Sequence, residues 1–440
     1  MTKEERALYY AGRLQPLIRC ETVSVTGVRQ SEKFEHFHAL LRESFPRLFS
    51  LLTVEDFAGS LLMRWPGKSE ESPILLMSHH DVVEAPGAWT HPPFSGEIAD
   101  GKLWGRGTLD TKGNLFVMLQ AAEELAEEGF VPPHDVWFVS TCTEETDGTG
   151  ADSITQELQR RGLRFRMTLD EGGMMMYDPL GGSHGTFAMI GVGEKGCADL
   201  KFIARSGGGH ASTPGKNTPL VRLGKFMAEA DKAKCFTISL SPVVEEMFRR
   251  MAPTASGAMK LALSHVHPLR GILARVLPSL SPTAGAMLRT TLAFTMAGGS
   301  EGTNVLPQEA YVIGNMRFSH HQGQQDSFRQ ITALAEKYGI ETEVLDPGFA
   351  SHVTDWHCDG FRLTEEAVRK VFPGVEPAPY IMTGASDSRF FSRVSDCCLR
   401  FAPFLIDEQQ LESIHGIDEN IDIAALPGAV DFYRYIIKEN

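Results

Sequence analysis

No apolar stretch in this chain reaches the roughly 20 residues needed to cross a bilayer, so no membrane partner is expected. Basic stripes are missing too. Against 56 Asp and Glu stand 42 Lys and Arg, a formal net charge of −14, which argues against nucleic acid as a partner. The amino-terminal MTKEERALYYAGRL lacks the basic segment, apolar run and small-residue cleavage site of a secretory signal. Cysteine is scarce: seven residues, an odd number without framework spacing, read as reduced thiols of a cytoplasmic, bacterial-type protein. The adjacent Cys397 and Cys398 read as buried strand packing. Repeats, low-complexity tracts and linkers do not occur. What is present, 42% hydrophobic residues in a 440-residue chain, predicts an ordinary globular protein with two domains.

Residues 1 to 50 carry helical patterning. The run Pro73 to Met77 in SPILLMSHHDVV is then a buried strand that stops abruptly at polar residues. VWFVSTCTEE and FRMTLDEGG repeat the plan, ending in acids at Glu144 and Glu171, and a helix from about Gly113 to Glu128 separates the first two strands. Strand, helix, strand implies an α/β fold with a largely parallel central sheet flanked by helices, and such sheets bind ligands at the carboxyl ends of their strands. From about Lys195 the pattern changes to a compact β-α-β-β-α-β layer, which predicts an inserted domain over 195–350 and a main domain from 1–194 and 351–440. Within the insert, roughly Pro242 to Met296 reads as an extra apolar helical stretch, a core or interface element that Pro253, Pro268, Pro278 and Pro282 chop too short for a membrane.

The strand ends hold residues suited to a divalent ion. Zn²⁺ accepts imidazole nitrogen and carboxylate oxygen at about 2.0 to 2.2 Å. His79 and Asp81, two apart on an extended segment, share a face, so His79 can bind metal while Asp81 takes the proton of its other ring nitrogen. Asp110 lies in the glycine-crowded LWGRGTLDTKGN, where the chain bends tightly, and its two oxygens suit a bridge between ions about 3.5 to 4 Å apart. Glu144 and Glu145 are adjacent after a strand, so one can hold metal while the other faces substrate. Asp170 and Glu171 follow the same logic, and His415 in SIHGIDEN supplies a second imidazole. Singly, each motif has an ordinary reading: a structural His–Asp pair, an N-cap at Asp110, solvated acids, a surface histidine. Together they outweigh those readings. Five ligands, His79, Asp110, Glu145, Glu171 and His415, bring three negative charges to two divalent ions. The single positive charge left over suits a hydroxide and an oxyanion, with Glu144 as the base that takes the proton of an activated water.

In order and spacing, SHHDVV, WTHPPFSGEIADGKLWGRGTLDTKGN, TEETDGTGA, LDEGG, GGGHASTP, GTNVLP, GASDSRF and SIHGIDEN resemble the dinuclear zinc family of aminoacylase, carboxypeptidase S, carboxypeptidase G and succinyl-diaminopimelate desuccinylase. The match runs from about His79 to Glu419, and WGRGTLD and GEKG look closest to the carboxypeptidase S and N-acyl-amino-acid hydrolase branch. The resemblance implies a zinc-exopeptidase-like catalytic domain with a lid of the dimerisation type. It also implies two zinc ions, for which Co²⁺ or Mn²⁺ fit the same donors. One zinc would be held by His79, Asp110 and Glu171, the other by Asp110, Glu145 and His415, with Asp81 orienting His79, Glu144 as base, and Asp170 as the alternative to Glu171. Thr143 stands where the family usually has an acid, which predicts tuning and not loss of activity.

By the same resemblance His210 is the lid histidine that, in dimeric members, reaches a neighbouring site and binds the tetrahedral oxyanion. Asn304 and Arg317 are lid contacts to substrate, Arg317 pairing with a free α-carboxylate, and Gly384 and Asp387 line the pocket floor. The residues themselves leave a turn histidine open for His210 and a strand-face salt bridge for Arg317. The expected activity is hydrolysis of an amide bond in a small peptide or an N-acyl amino acid. An aminopeptidase or dipeptidase and a non-catalytic zinc-fold binding protein are the rival readings. A homodimer, or a monomer in which the helical stretch substitutes for a partner's lid, completes the expectations.

Overall fold

The computed structural model describes residues 1–27, 31–232, 235–280 and 282–440. Its centre is a ten-stranded mixed sheet, parallel through its middle. Ser69–Met77 lies between His134–Ser140 and Met167–Asp170, parallel to both, with Ile74 to Leu76 paired to Val136 to Phe138 on one side and to Met167 to Leu169 on the other. Cys398–Arg400 continues the parallel run beside Met167–Asp170. Because these apolar strands run in register, their carboxyl ends share one edge, and the polar residues that follow each strand converge there.

Helices cover the sheet. Lys112–Glu127 is buried along almost its whole length, as a helix between a sheet and another helix must be. It packs on Leu426–Lys438, where the buried Tyr433 hydroxyl donates to Asn114 Oδ1 at 2.8 Å. Its start is cramped: a Cβ on Gly113 would lie 2.1 Å from the Thr108 carbonyl oxygen, so only glycine fits there. Lys3–Arg19 opens with a capping box in which Thr2 and Glu5 exchange hydrogen bonds of 2.7 and 3.1 Å.

A second, four-stranded sheet has the order Thr291–Gly298, Glu309–Phe318, Gly196–Arg205, Glu341–Asp346. Alternation along its strands buries Leu200, Phe202, Val312, Met316 and Phe318 against Pro219–Ala230 and Gly323–Glu336, with Phe202 and Phe226 rings 4.7 Å apart.

The helical stretch expected over 242–296 differs in two ways. It ends earlier, because Thr291–Gly298 is a strand of the second sheet; its Leu, Ala and Met content disguised a pattern that pairs with Glu309–Phe318. It also packs elsewhere. Val244, Met247, Phe248 and Met251 of Pro242–Met251 bury against Phe187, Met189 and Ala378 of the central sheet. Lys195 ties the stretch to the crossing between the two sheets, its Nζ donating to the carbonyls of Ala286 and Arg289 and to Thr291 Oγ1 at 2.9 to 3.0 Å.

Candidate metal centre

Five side chains expected to bind metal sit at the carboxyl edge of the central sheet. His79 Nε2 is 2.9 Å from Asp110 Oδ1, and His415 Nε2 is 3.0 Å from Asp110 Oδ2 and 3.1 Å from Glu145 Oε2. The Asp110 carboxylate thus stands between two imidazoles. It does not cap the following helix, whose N-cap is Thr111. Ligand atoms of His79, Asp110 and Glu145 all lie within 4.8 Å of one another, close enough to hold one ion.

Loops bring these groups together. His79 Nδ1 donates to the backbone carbonyl of Asp81 at 2.9 Å, while the Asp81 carboxylate is 3.4 Å away. The expected pairing with that carboxylate is therefore secondary to one with the main chain, and either way the neutral ring keeps its Nε2 lone pair for a metal. The Asp81 carboxylate instead organises its neighbours, accepting the N–H groups of Glu144 and Glu145 at 3.3 and 3.2 Å and the Ser24 hydroxyl at 2.7 Å. These glutamates lie in a turn beyond the strand, which ends at Ser140, so strand alternation does not apply to them, and Asp81 holds the turn by its two successive amides. Thr143 shapes the same turn: its carbonyl accepts from Thr146, Asp147 and Gly148, and its hydroxyl accepts from the Gly150 amide.

Asp170 and Glu171 part company. Asp170 Oδ1 accepts the Glu171 N–H at 2.9 Å and Oδ2 accepts the Ser388 N–H at 2.8 Å, so both oxygens serve the backbone. The Glu171 carboxylate has no hydrogen bond among the described residues. His415 is held with φ of 60°, a left-handed conformation uncommon for histidine. Its loop is pinned by Asp418, which accepts the Thr90 N–H and hydroxyl at 2.8 Å each.

Sequence reasoning missed Glu419 and Arg106. The fully buried Glu419 accepts from Arg106 Nη1 at 2.7 Å and from the N–H groups of Gly107, Leu109 and Asp110 at 2.9 to 3.1 Å. It is the anchor of the loop that carries Asp110. A buried acid closing SIHGIDEN and an arginine inside the glycine-rich motif were the available signals.

The electrostatics call for a cation. Burial pushes up the pKa of Glu144, Glu145 and Glu171, takes Asp170 to about 6 and takes Asp387 to about 7. Glu145 Oε1 and Asp387 Oδ1 are buried without a hydrogen-bond partner. Orphaned carboxylate oxygens beside two imidazoles form a donor set that fits divalent ions. Protons substitute for that charge: burial disfavours the His79 cation, but Asp110 and Asp81 outweigh it and hold its pKa well above the ordinary value. Asp110 and Glu145 lift His415 to about 10. Such raised values stabilise the metal-free fold fully below the ordinary histidine pKa of 6.5, a contribution lost as pH rises through about 10. Metal must displace these protons, so metal uptake is expected to release protons and to tighten with rising pH. Calorimetric titration in buffers of different ionisation enthalpy measures the release, and an affinity unchanged across the neutral range would contradict it.

The remaining expected residues form no hydrogen bond or ion pair with these five side chains among the described residues. Asp387 is buried, its Oδ2 accepting the Thr141 hydroxyl at 2.5 Å, and Gly384 is exposed. His210 is exposed on a two-stranded ribbon with Val305–Leu306, and Asn304, also exposed, lends its carbonyl to the Ala211 N–H at 2.9 Å. Arg317 stands on the second sheet, where Nε donates to Asn315 Oδ1 at 3.0 Å. Among the described residues no hydrogen bond or ion pair joins His210, Asn304 or Arg317 to the five clustered side chains.

Residues 75–439 match Peptidase family M20/M25/M40. The chain belongs to this family. It is therefore a hydrolase of amide bonds, in a family whose members depend on a dinuclear metal centre. Among curated relatives it is 30% identical to a probable carboxypeptidase S-like 2 of Dictyostelium discoideum, covering 96% of this chain and 84% of that one. It is 30% identical to the human N-fatty-acyl-amino acid synthase/hydrolase PM20D1, covering 99% and 88%. Two solved structures share the fold: an M20 family metallo-carboxypeptidase from Sulfolobus solfataricus (TM-score 0.72, 18% identity, 98% of each chain) and human carnosine dipeptidase 1 (TM-score 0.71, 16% identity, 99% and 96%). Among the described residues no helix is long and apolar enough to cross a membrane.

Proposed function

We propose that this M20 hydrolase is a zinc enzyme that cleaves the amide bond next to a free α-carboxylate, in an N-acyl amino acid or at the C-terminus of a small peptide. One observation carries the reading: the Asp110 carboxylate offers one oxygen to His79 and the other to His415, at 2.9 and 3.0 Å, as a group shared by two ions must. His79, Asp110 and Glu171 would hold one ion, and Asp110, Glu145 and His415 the other. Glu171 is preferred to Asp170 because both Asp170 oxygens already accept backbone amides. Glu171→Gln is accordingly expected to cost about one metal equivalent per chain, measured by elemental analysis, whereas Asp170→Asn keeps both. The reverse pattern would exchange their roles.

Bound there, divalent ions would supply polarisation of the scissile carbonyl and acidification of a water. Everything else falls to the chain. Glu144, whose proton affinity burial raises, takes the proton of the attacking water on its carboxylate and passes it to the leaving amine nitrogen. His210 Nδ1 accepts the Ser212 N–H at 3.1 Å, which leaves the ring proton on Nε2 for an oxyanion. A homodimer in which the lid of one copy serves the site of the other accounts for the exposure of His210. The seven free thiols support a cytoplasmic location.

Arg317 carries the substrate claim. Its Nη groups have no partner among the described residues, so a strand-face salt bridge is not what occupies them. They remain available for a bidentate carboxylate contact. Arg317→Ala is expected to raise KM for carboxylate-bearing substrates at least tenfold with a smaller change in kcat. Steady-state kinetics on a panel of N-acyl amino acids, dipeptides and their C-terminal amides tests this, and unchanged kcat/KM for the free acids would overturn it. The curated relatives named for N-fatty-acyl-amino acid hydrolysis and for carboxypeptidase S both support an α-carboxylate in the substrate.

A further inference from the structure

Away from the metal centre, two thiols from distant parts of the chain meet. Cys358 precedes the helix Asp359–Val371, and Cys397 precedes the strand Cys398–Arg400; their sulfurs are 3.2 Å apart. The approach is built in. A Cβ on Gly360 would lie 2.6 Å from Cys397 Sγ, so the absent side chain at 360 is what lets the sulfur reach the start of the helix. Cys397 is buried, whereas Cys358 is partly open to solvent.

We propose that Cys358 and Cys397 are an oxidisable dithiol, a modification site at which a hydroperoxide converts the pair to an intrachain disulfide. Cys358 is the attacking member. Its contact with Cys397 lowers its pKa to about 7 against the cost of burial, and the nearby amides of Gly360 and Phe361 add to the effect although neither forms a full hydrogen bond to the sulfur. The same contact, with burial, drives Cys397 far upward, so it remains a protonated thiol until needed. The chemistry balances in two steps. The Cys358 thiolate attacks one peroxide oxygen, the O–O bond breaks, and the departing alkoxide or hydroxide takes a proton, leaving Cys358 as a sulfenic acid. Cys397 sulfur then attacks Cys358 sulfur; the S–S bond forms, the S–O bond breaks, and hydroxide leaves with the Cys397 proton as water. Two electrons pass to the peroxide, which supplies the oxidant.

The pair sits behind the metal edge. Cys397 lends its carbonyl to the Thr168 N–H at 2.8 Å, and three residues further along Arg400 is the strand partner of Asp170. Neither cysteine belongs to the proposed catalytic machinery.

The test uses the full chain treated with stoichiometric hydrogen peroxide, then digestion and mass spectrometry without reductant. The expected result is a peptide pair joining Cys358 to Cys397, reversed by dithiothreitol. Cys397→Ser should trap a dimedone-reactive sulfenic acid on Cys358. In the untreated protein, iodoacetamide should alkylate Cys358 at least tenfold faster than Cys197 or Cys235, the other partly exposed thiols. The proposal is overturned if Cys197 or Cys235 oxidises first, if Cys397 joins Cys398 instead, or if Cys397→Ser leaves Cys358 inert. Circular dichroism of each variant separates a failed fold from a failed reaction.

Discussion

Glu144→Gln is expected to lower kcat by about 10²- to 10⁴-fold on any substrate the protein cleaves, the range general acid–base catalysis supplies. Both metals should remain bound. The amide keeps the volume of the carboxyl and, through the Glu144 N–H held by Asp81, its place in the turn, but it cannot accept a proton at neutral pH. Since Glu144 forms no hydrogen bond to His79, Asp110, Glu145 or His415 among the described residues, metal content by elemental analysis should match the parent. Retention of more than a tenth of kcat would remove Glu144 from its role. Loss of metal together with activity would make it a ligand.

A second large effect is predicted away from the ligands. Glu419→Ala should destabilise the fold by about 3–5 kcal/mol, the usual cost of removing one partner from a buried ion pair, because it strands the Arg106 guanidinium. It should also weaken metal binding, since the amide of Asp110 itself loses its acceptor. Chemical denaturation and metal titration read the two effects separately. Replacing both charges by apolar groups, Arg106→Met with Glu419→Leu, often restores stability at buried pairs. Here it should not, because the N–H groups of Gly107, Leu109 and Asp110 would still face the apolar side chain unsatisfied. A double variant as stable as the parent would show that Glu419 acts only as a counter-charge.

Much of this was legible before any coordinates. Apolar runs that halt at His79, Glu144 and Glu171 announce strands with chemistry at their ends, because three such ends with metal-binding residue types on one sheet outweigh the ordinary reading of each. Glycines around Asp110 announce a tight approach, which Gly113 against the Thr108 carbonyl bears out. Less legible was Thr291–Gly298, whose Leu, Ala and Met suit a helix as well as a strand. Its pairing with Glu309–Phe318 overrides local preference. The turn at Glu144 and Glu145 was hidden for a similar reason, since the Asp81 carboxylate that shapes it lies more than 60 residues earlier.

By itself, the sequence determined the family, the α/β class, and the kinds of side chain gathered at the strand ends, because those depend on residue type, order and local periodicity. Only the tertiary structure decided how the side chains divide their work. Asp170 is spent on the Ser388 amide from more than 200 residues away, Glu419 crosses more than 300 residues to hold the Asp110 loop, and Cys397 meets Cys358 over a glycine. A carboxylate or a thiol carries the same name wherever it stands. Which hydrogen bonds it has already made, and how much water it has lost, are set by residues far away in the chain.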